Sequence, residues 1–157
     1  MRKTFMMAMV LLACVPILAE GPVLSLGSKT VDAGRAVNVE VVFHGGTPVA
    51  SLTTDVTYDA SALTLEGVET SLPGKVAAGN LLSPGIYRLT IYGGEGTLSE
   101  GVVATLHFRA AVGACGTYLL NFASAGPSAA SPGASPVSMA GKPGTIVVEG
   151  CRKRAAE

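Results

Sequence analysis

The chain has 157 residues, with 11 Lys or Arg and 11 Asp or Glu, so its formal net charge is zero. Hydrophobic residues make up 48% and charged residues 14%. This composition excludes an intrinsically disordered chain, and the charge balance excludes a general nucleic-acid binder, which needs a basic surface. The length suits one domain with a hydrophobic core.

The N-terminal residues have the pattern of an export signal. Two basic residues precede an apolar run at residues 5–18, which is shorter than the roughly 20 residues of a membrane-spanning helix. Residues 1–19 are therefore predicted to be a signal peptide cleaved after Ala19, which makes the protein secreted or extracellular. A second possibility stays open, since residues 11–14 resemble a lipobox in which Cys14 would be lipidated. Only that lipoprotein form would be tied to a membrane.

After residue 20 the sequence indicates short strands. Apolar and polar residues alternate, as in strands with one buried face, and Gly, Pro and Asp clusters separate the segments. We predict an all-β fold, an eight- to nine-stranded antiparallel β-sandwich with jelly-roll or Greek-key topology. Within it, Val102 should face the core and Val103 solvent. The predicted strands are, in chain order, residues 23–26, 37–43, 52–58, 63–68, 87–91, 102–108, 118–122 and 145–148.

One segment lacks the strand pattern. Residues 126–144 are rich in Ala, Ser, Pro and Gly, and Lys142 is their one charged residue. Side chains this small bury little area, so we expect a long surface loop between the last two strands. The domain is predicted to span residues 20–151, followed by a basic tail at 152–157.

Two cysteines remain after signal cleavage, Cys115 and Cys151. In an exported chain a pair of cysteines indicates one disulfide. Antiparallel pairing of the strands at 118–122 and 145–148 would bring both cysteines to the same end of the sheet. The bridge would close a loop of about 36 residues, which the chain-entropy model values at roughly 4 kcal/mol.

Signals of enzyme chemistry are missing from the sequence. It has no Gly-x-Ser-x-Gly nucleophile turn. A glycosidase needs two carboxylates across a cleft, but Asp59 is expected to form a turn and the acidic residues near it to be solvated. His44 and His107 fall on outward strand positions, without the spacing of zinc ligands. We therefore predict a non-catalytic protein without a metal or other cofactor.

Five segments share a family pattern. The most specific are the Tyr58-Asp59 turn, followed by Ala60 where the family usually has Pro, and the Gly-Val-Val-Ala-Thr-Leu-His-Phe run that begins at Gly101. Together the segments span about residues 22–149 and resemble the cohesin domain, the β-sandwich module of cellulosome scaffolds and related bacterial surface proteins. The matching segments are residues 33–39, 52–68, 85–93, 101–110 and 144–148.

The resemblance implies a binding module. Cohesins bind dockerins, small calcium-loaded modules on enzymes, through one exposed sheet face, in the extracellular degradation of polysaccharides. Where the dockerin-binding cohesins carry an Asn and an Asp, this chain has Ser51 and Thr53. The candidate partner-binding face consists of the outward residues Ser51, Thr53, Asp55, Arg88, Thr90, Thr117 and Asn121.

Two other functions stay open. A carbohydrate-binding module of the same superfamily would stack aromatic rings on sugars. The chain has no Trp, and Tyr92, beside two glycines, is the candidate sugar contact. A structural cell-surface protein that self-associates is the third possibility. The expected partner is therefore a dockerin-like protein or a polysaccharide, and not a nucleic acid.

Overall fold

The computed structural model describes residues 21–150, so the predicted signal peptide, Cys14, Cys151 and the tail at 152–157 lie outside the described residues. Within this range the chain forms thirteen strands and no helix, and hence none that could cross a membrane. The strands are β1 (Val23–Leu26), β2 (Lys29–Asp32), β3 (Ala36–His44), β4 (Ser51–Thr57), β5 (Leu63–Glu69), β6 (Val76–Ser83), β7 (Ile86–Tyr92), β8 (Gly101–Ala110), β9 (Gly116–Phe122), β10 (Ser128–Ala130), β11 (Pro136–Ser138), β12 (Ala140–Lys142) and β13 (Gly144–Glu149).

The strands form two sheets, which confirms the predicted all-β sandwich. One sheet has the order β12-β1-β3-β8-β5. In the eight-stranded sheet β6, β7, β4, β9, β13 and β2 follow one another, and β10 with β11 extends from the first half of β4. The pairs are antiparallel except at two edges, where β12 runs parallel to β1 and β2 parallel to β13. The number of strands exceeds the expected eight or nine because β2, β6, β10, β11 and β12 show no alternation in the sequence.

The turn after β4 carries the chain from one sheet to the other. The ring of Tyr58 meets that of Phe108 edge-on, with centroids 5.4 Å apart. Asp59 accepts hydrogen bonds from the hydroxyl and the backbone N–H of Ser61, the latter at 2.9 Å, and these bonds lower the pKa of its carboxyl. This Asx-turn confirms the predicted role of Asp59. The Asp59 carbonyl then accepts the N–H of Leu63, where β5 begins, at 2.9 Å.

The strand β8 departs from the prediction near its start. Val41 lies opposite Ala104 and Val42 lies opposite Val102, so Val103 is an extra residue and forms a β-bulge. Val103 is fully buried and Val102 is 41% exposed. The predicted orientation of these two valines is therefore wrong. Hydrophobicity could not distinguish them, because adjacent residues of the same type carry no alternation.

Residues 126–144 form three short strands, so the prediction of a surface loop is wrong. β10 pairs with β4, β11 with β10, and β12 with β1. Ala129 and Met139 are buried in the core. Gly141 packs against the ring of Phe122 so closely that a Cβ atom would collide with it. Backbone hydrogen bonds to strands of both sheets hold this segment, and small residues permit the close approach.

Candidate functional site

The predicted partner-binding residues lie together on the outer face of the eight-stranded sheet. Thr53 lies opposite Thr90 and Asp55 opposite Arg88, and β9 joins the end of β4 through Asn121. Because directly opposed residues point to the same side of a sheet, the register with β6 extends this surface by one strand. We refer to the outward positions of these four strands as the neutral face. They are Val76, Ala78, Asn80, Ser83, Ile86, Arg88, Thr90, Tyr92, Ser51, Thr53, Asp55, Thr57, Thr117, Leu119 and Asn121.

An ion pair stands at the centre of the neutral face. Arg88 Nε donates to Asp55 Oδ1 at 2.7 Å and Arg88 Nη2 donates to Asp55 Oδ2 at 2.8 Å. This bidentate contact lowers the pKa of the Asp55 carboxyl and raises the pKa of the Arg88 guanidinium. Beside it, the hydroxyl oxygens of Thr53 and Thr90 are 3.2 Å apart. The two charges of the neutral face therefore cancel within the protein.

Apolar side chains are exposed on both sides of this ion pair. Tyr92 and Val76 lie opposite each other and are 46% and 47% exposed, and Leu119 is 56% exposed. Val76 and Leu119 were not among the predicted site residues, because β6 has no alternation and Leu119 is an apolar residue on an outward position. Tyr92 is exposed as predicted, but within residues 21–150 no second exposed aromatic ring accompanies it. A flat stacking platform for sugars is therefore not formed there.

A small cavity opens next to the ion pair. It has a volume of about 150 Å³ and lies beside β4, between the part of β4 that pairs with β9 and the part that pairs with β10. Thr54, Asp55 and Arg88 line it, together with residues from the segment 123–128. Thr54 is 3% exposed, and its hydroxyl has no hydrogen-bond partner among the described residues. This unpaired hydroxyl could not be predicted, because a threonine on an inward strand position resembles a valine.

The outer surface of the five-stranded sheet carries charges instead. Arg109 Nε donates to Glu66 Oε1 at 2.6 Å, which raises the pKa of the Arg109 guanidinium. His107 Nδ1 is 2.9 Å from Asn38 Oδ1, and its Nε2 is 3.4 Å from Glu69 Oε1. Asp55 thus lies on the outer surface of one sheet and Glu66 and Glu69 lie on that of the other, while Asp59 forms the turn between the sheets. Within residues 21–150 no three His, Cys, Asp or Glu side chains are grouped as metal ligands.

Two further features lie away from the neutral face. An open groove of about 440 Å³ runs along β1 and β12, and none of the predicted site residues lines it. Cys115 directly precedes β9, which pairs antiparallel with β13 so that Gly116 lies opposite Val148. This confirms the expected strand pairing. Cys151 lies outside the described residues, so the disulfide stays a prediction.

Comparisons with known proteins agree with this architecture. The sixth cohesin of scaffoldin B from Acetivibrio cellulolyticus, solved in complex with a mutant Cel5 dockerin, is 22% identical with a TM-score of 0.73, and the match covers 83% of this chain and 100% of that one. The cohesin CaCohA2 from Clostridium acetobutylicum is 23% identical with a TM-score of 0.71, covering 85% and 94%. A non-cellulosomal cohesin from the archaeon Archaeoglobus fulgidus is 17% identical with a TM-score of 0.71, covering 83% and 93%.

These structural likenesses show a shared fold. No curated protein matches the chain in sequence. The family model for the cohesin domain matches residues 22–148, nearly all of the described range. The chain therefore belongs to the cohesin family.

Proposed function

We propose that the protein is a non-catalytic binding module that engages a dockerin-like protein through the neutral face. One observation carries the proposal, namely that this face exposes apolar side chains and has no unpaired charge. Protein interfaces are enriched in Tyr and Arg and depleted in Lys and Glu relative to the rest of the surface, and the neutral face has Tyr92, Arg88 and neither Lys nor Glu. The outer surface of the other sheet, with Glu66, Glu69 and Arg109, lacks this character.

The partner class is supported by the neighbouring structures. The Acetivibrio cellulolyticus cohesin was solved with a dockerin, and so was a Clostridium thermocellum cohesin, Coh-OlpA. We place the module outside the cell, in polysaccharide degradation, after export by residues 1–19 and with Cys115 and Cys151 joined in a disulfide. The confirmed antiparallel pairing of β9 with β13 supports that bridge. Peptide mapping without reductant should recover a peptide that contains both cysteines.

The proposal is tested by capture on the immobilised protein. The probes are the proteins secreted by the source organism, with and without a calcium chelator, and soluble and insoluble polysaccharides in parallel. We expect a protein that is retained in calcium and released by the chelator. Retention of a polysaccharide with no protein would instead favour the carbohydrate-binding alternative and make Tyr92 the first residue to change.

Two variants locate the interface. Leu119→Lys places a charge on the neutral face, and Val102→Lys places the same charge on the opposite sheet at an exposed valine. A charge at the desolvated centre of an interface is costly, so we expect Leu119→Lys to weaken binding of the captured protein by about tenfold or more. Val102→Lys should bind like the unmodified protein. Weaker binding by Val102→Lys alone would move the interface to the other sheet.

A further inference from the structure

The free edges of the two sheets are not protected equally. An unpaired strand edge presents backbone donors and acceptors to any passing strand, and proteins protect it with short strands, charges, Pro or bulges. β11 and β12 are three residues each, and β2 is four residues long with Lys29 and Asp32. β5 carries Glu69 and an interrupted register near Gly67. Each of these edges therefore resists pairing with another chain.

The strand β6 is the exception among the described edges. Its eight residues, Val76–Ser83, pair only with β7 and include no charged residue and no Pro. Leu81 and Leu82 are 56% and 44% exposed. The register slips only at the end, between Leu81 and Ser83, so the edge is regular over residues 76–81.

The register identifies the backbone groups that face outward. The Asp55 carbonyl accepts the Ala123 N–H at 2.8 Å on the β9 side of β4. Because alternate residues of an antiparallel sheet bond to alternate neighbours, the odd-numbered residues of β4 bond toward β9 and the even-numbered ones toward β7. The observed pairings of β4 with β7 and of β7 with β6 extend this alternation to β6. They leave Ala77, Gly79 and Leu81 with their N–H and C=O groups at the free edge.

We propose that this edge pairs with the same edge of a second copy of the chain. Antiparallel pairing about a two-fold axis at Gly79 would oppose Gly79 to Gly79, and Ala77 to Leu81 of the second copy, so that all outward backbone groups meet partners. An uncharged strand meets its own copy without like-charge repulsion. Gly79 has no side chain that could obstruct the two-fold axis. The site requires glycine, because on the inner side of the strand a Cβ atom would collide with the ring of Tyr87.

This inference goes beyond the proposed function, because it uses the backbone edge of β6 and leaves the partner-binding surface open. Leu81 does not belong to the neutral face, and Leu119, on β9, lies three strands away from β6. The two residues have the same exposure, 56%. Leu81→Lys and Leu119→Lys are therefore matched variants with separate expected effects.

The test is sedimentation equilibrium of the mature protein, from residue 20 onward, over a range of concentrations, with and without reductant so that intermolecular disulfides are recognised. We expect a species of twice the mass of the single mature chain at high concentration that persists in reductant. Leu81→Lys should raise its dissociation constant by about tenfold or more, whereas Leu119→Lys should not change it. Leu81→Pro, which removes an outward N–H without touching the pairing with β7, should have the same effect as Leu81→Lys.

Three results would overturn the proposal. They are a protein that stays monomeric at every concentration, a dimer lost in reductant, and a dimer disrupted by Leu119→Lys but not by Leu81→Lys. The separate effects also keep the two proposals distinguishable, because Leu81→Lys should still bind the captured partner. A captured protein that is released by Leu81→Lys alone would show that β6 pairs with a different chain.

Discussion

Replacing Thr54 by Val should stabilise the protein. The Thr54 side chain is 3% exposed, and its hydroxyl has no hydrogen-bond partner among the described residues. A buried polar group without a partner costs about 1–3 kcal/mol. Valine has nearly the same shape and suits a strand at least as well. We expect Thr54→Val to raise the free energy of unfolding by about 1 kcal/mol and the melting temperature by about 3–5 °C.

Urea denaturation and thermal melting measure this change, and the neighbouring residue provides the control. Thr53 is also a strand threonine, but its hydroxyl lies 3.2 Å from that of Thr90. Thr53→Val therefore loses a hydrogen bond and should lower the free energy of unfolding by up to about 1 kcal/mol. If Thr54→Val is destabilised as much as Thr53→Val, the Thr54 hydroxyl has a partner in solution, such as a water in the adjoining cavity, and the reasoning fails.

Two further changes test the ion pair and the β6 packing. Asp55→Asn should lower stability at neutral pH by no more than about 1 kcal/mol. Arg88 holds the pKa of Asp55 below 3.8, so the stabilisation by the ion pair is present above pH 3.8 and is lost as the pH falls through the lowered pKa. The free energies of unfolding of Asp55→Asn and the unmodified protein, measured in urea, should therefore converge in acid. A difference that widens in acid would contradict this. Gly79→Ala should cost about 1–3 kcal/mol because the added methyl group meets the Tyr87 ring. Gly67→Ala, where nothing lies within 4 Å of the added atom, should show no loss of stability, and equal losses at both glycines would refute the packing argument.

The sequence predicted the elements whose side chains alternate and missed those that bury few or only small side chains. The alternation in β3, β4 and β7 is visible because one face is buried and the other solvated. β6 is exposed along nearly its whole length, so it has no buried stripe to reveal it. The strands between residues 126 and 144 consist of small residues that contribute little hydrophobic signal. Edge strands are thus the part of a sandwich that side-chain patterns describe least.

Some residues of the candidate site could likewise be predicted from the sequence and others could not. Outward residues of β4, β7 and β9 could be identified from the phase of the alternation, and the register brings them together. The contribution of Val76 could not be predicted, because it depends on the pairing of β6 with β7, which puts Val76 opposite Tyr92. The alternation in the sequence indicates β7 but not β6. The pairing of Asp55 with Arg88 depends likewise on the register, which spacing along the chain does not specify.

The neutral face has no net charge partly because position 53 is a threonine and not an acidic residue. A carboxylate at position 53 would lie opposite Thr90, two residues from Asp55 on the same side of β4. Arg88 already makes both of its short contacts with Asp55, so the second carboxylate would leave the face with one uncompensated negative charge. Thr53 instead shares a hydrogen bond with Thr90. A partner that meets this surface has no net charge to pair with and must fit the exposed apolar side chains beside the ion pair. Contacts of that kind are screened little by salt.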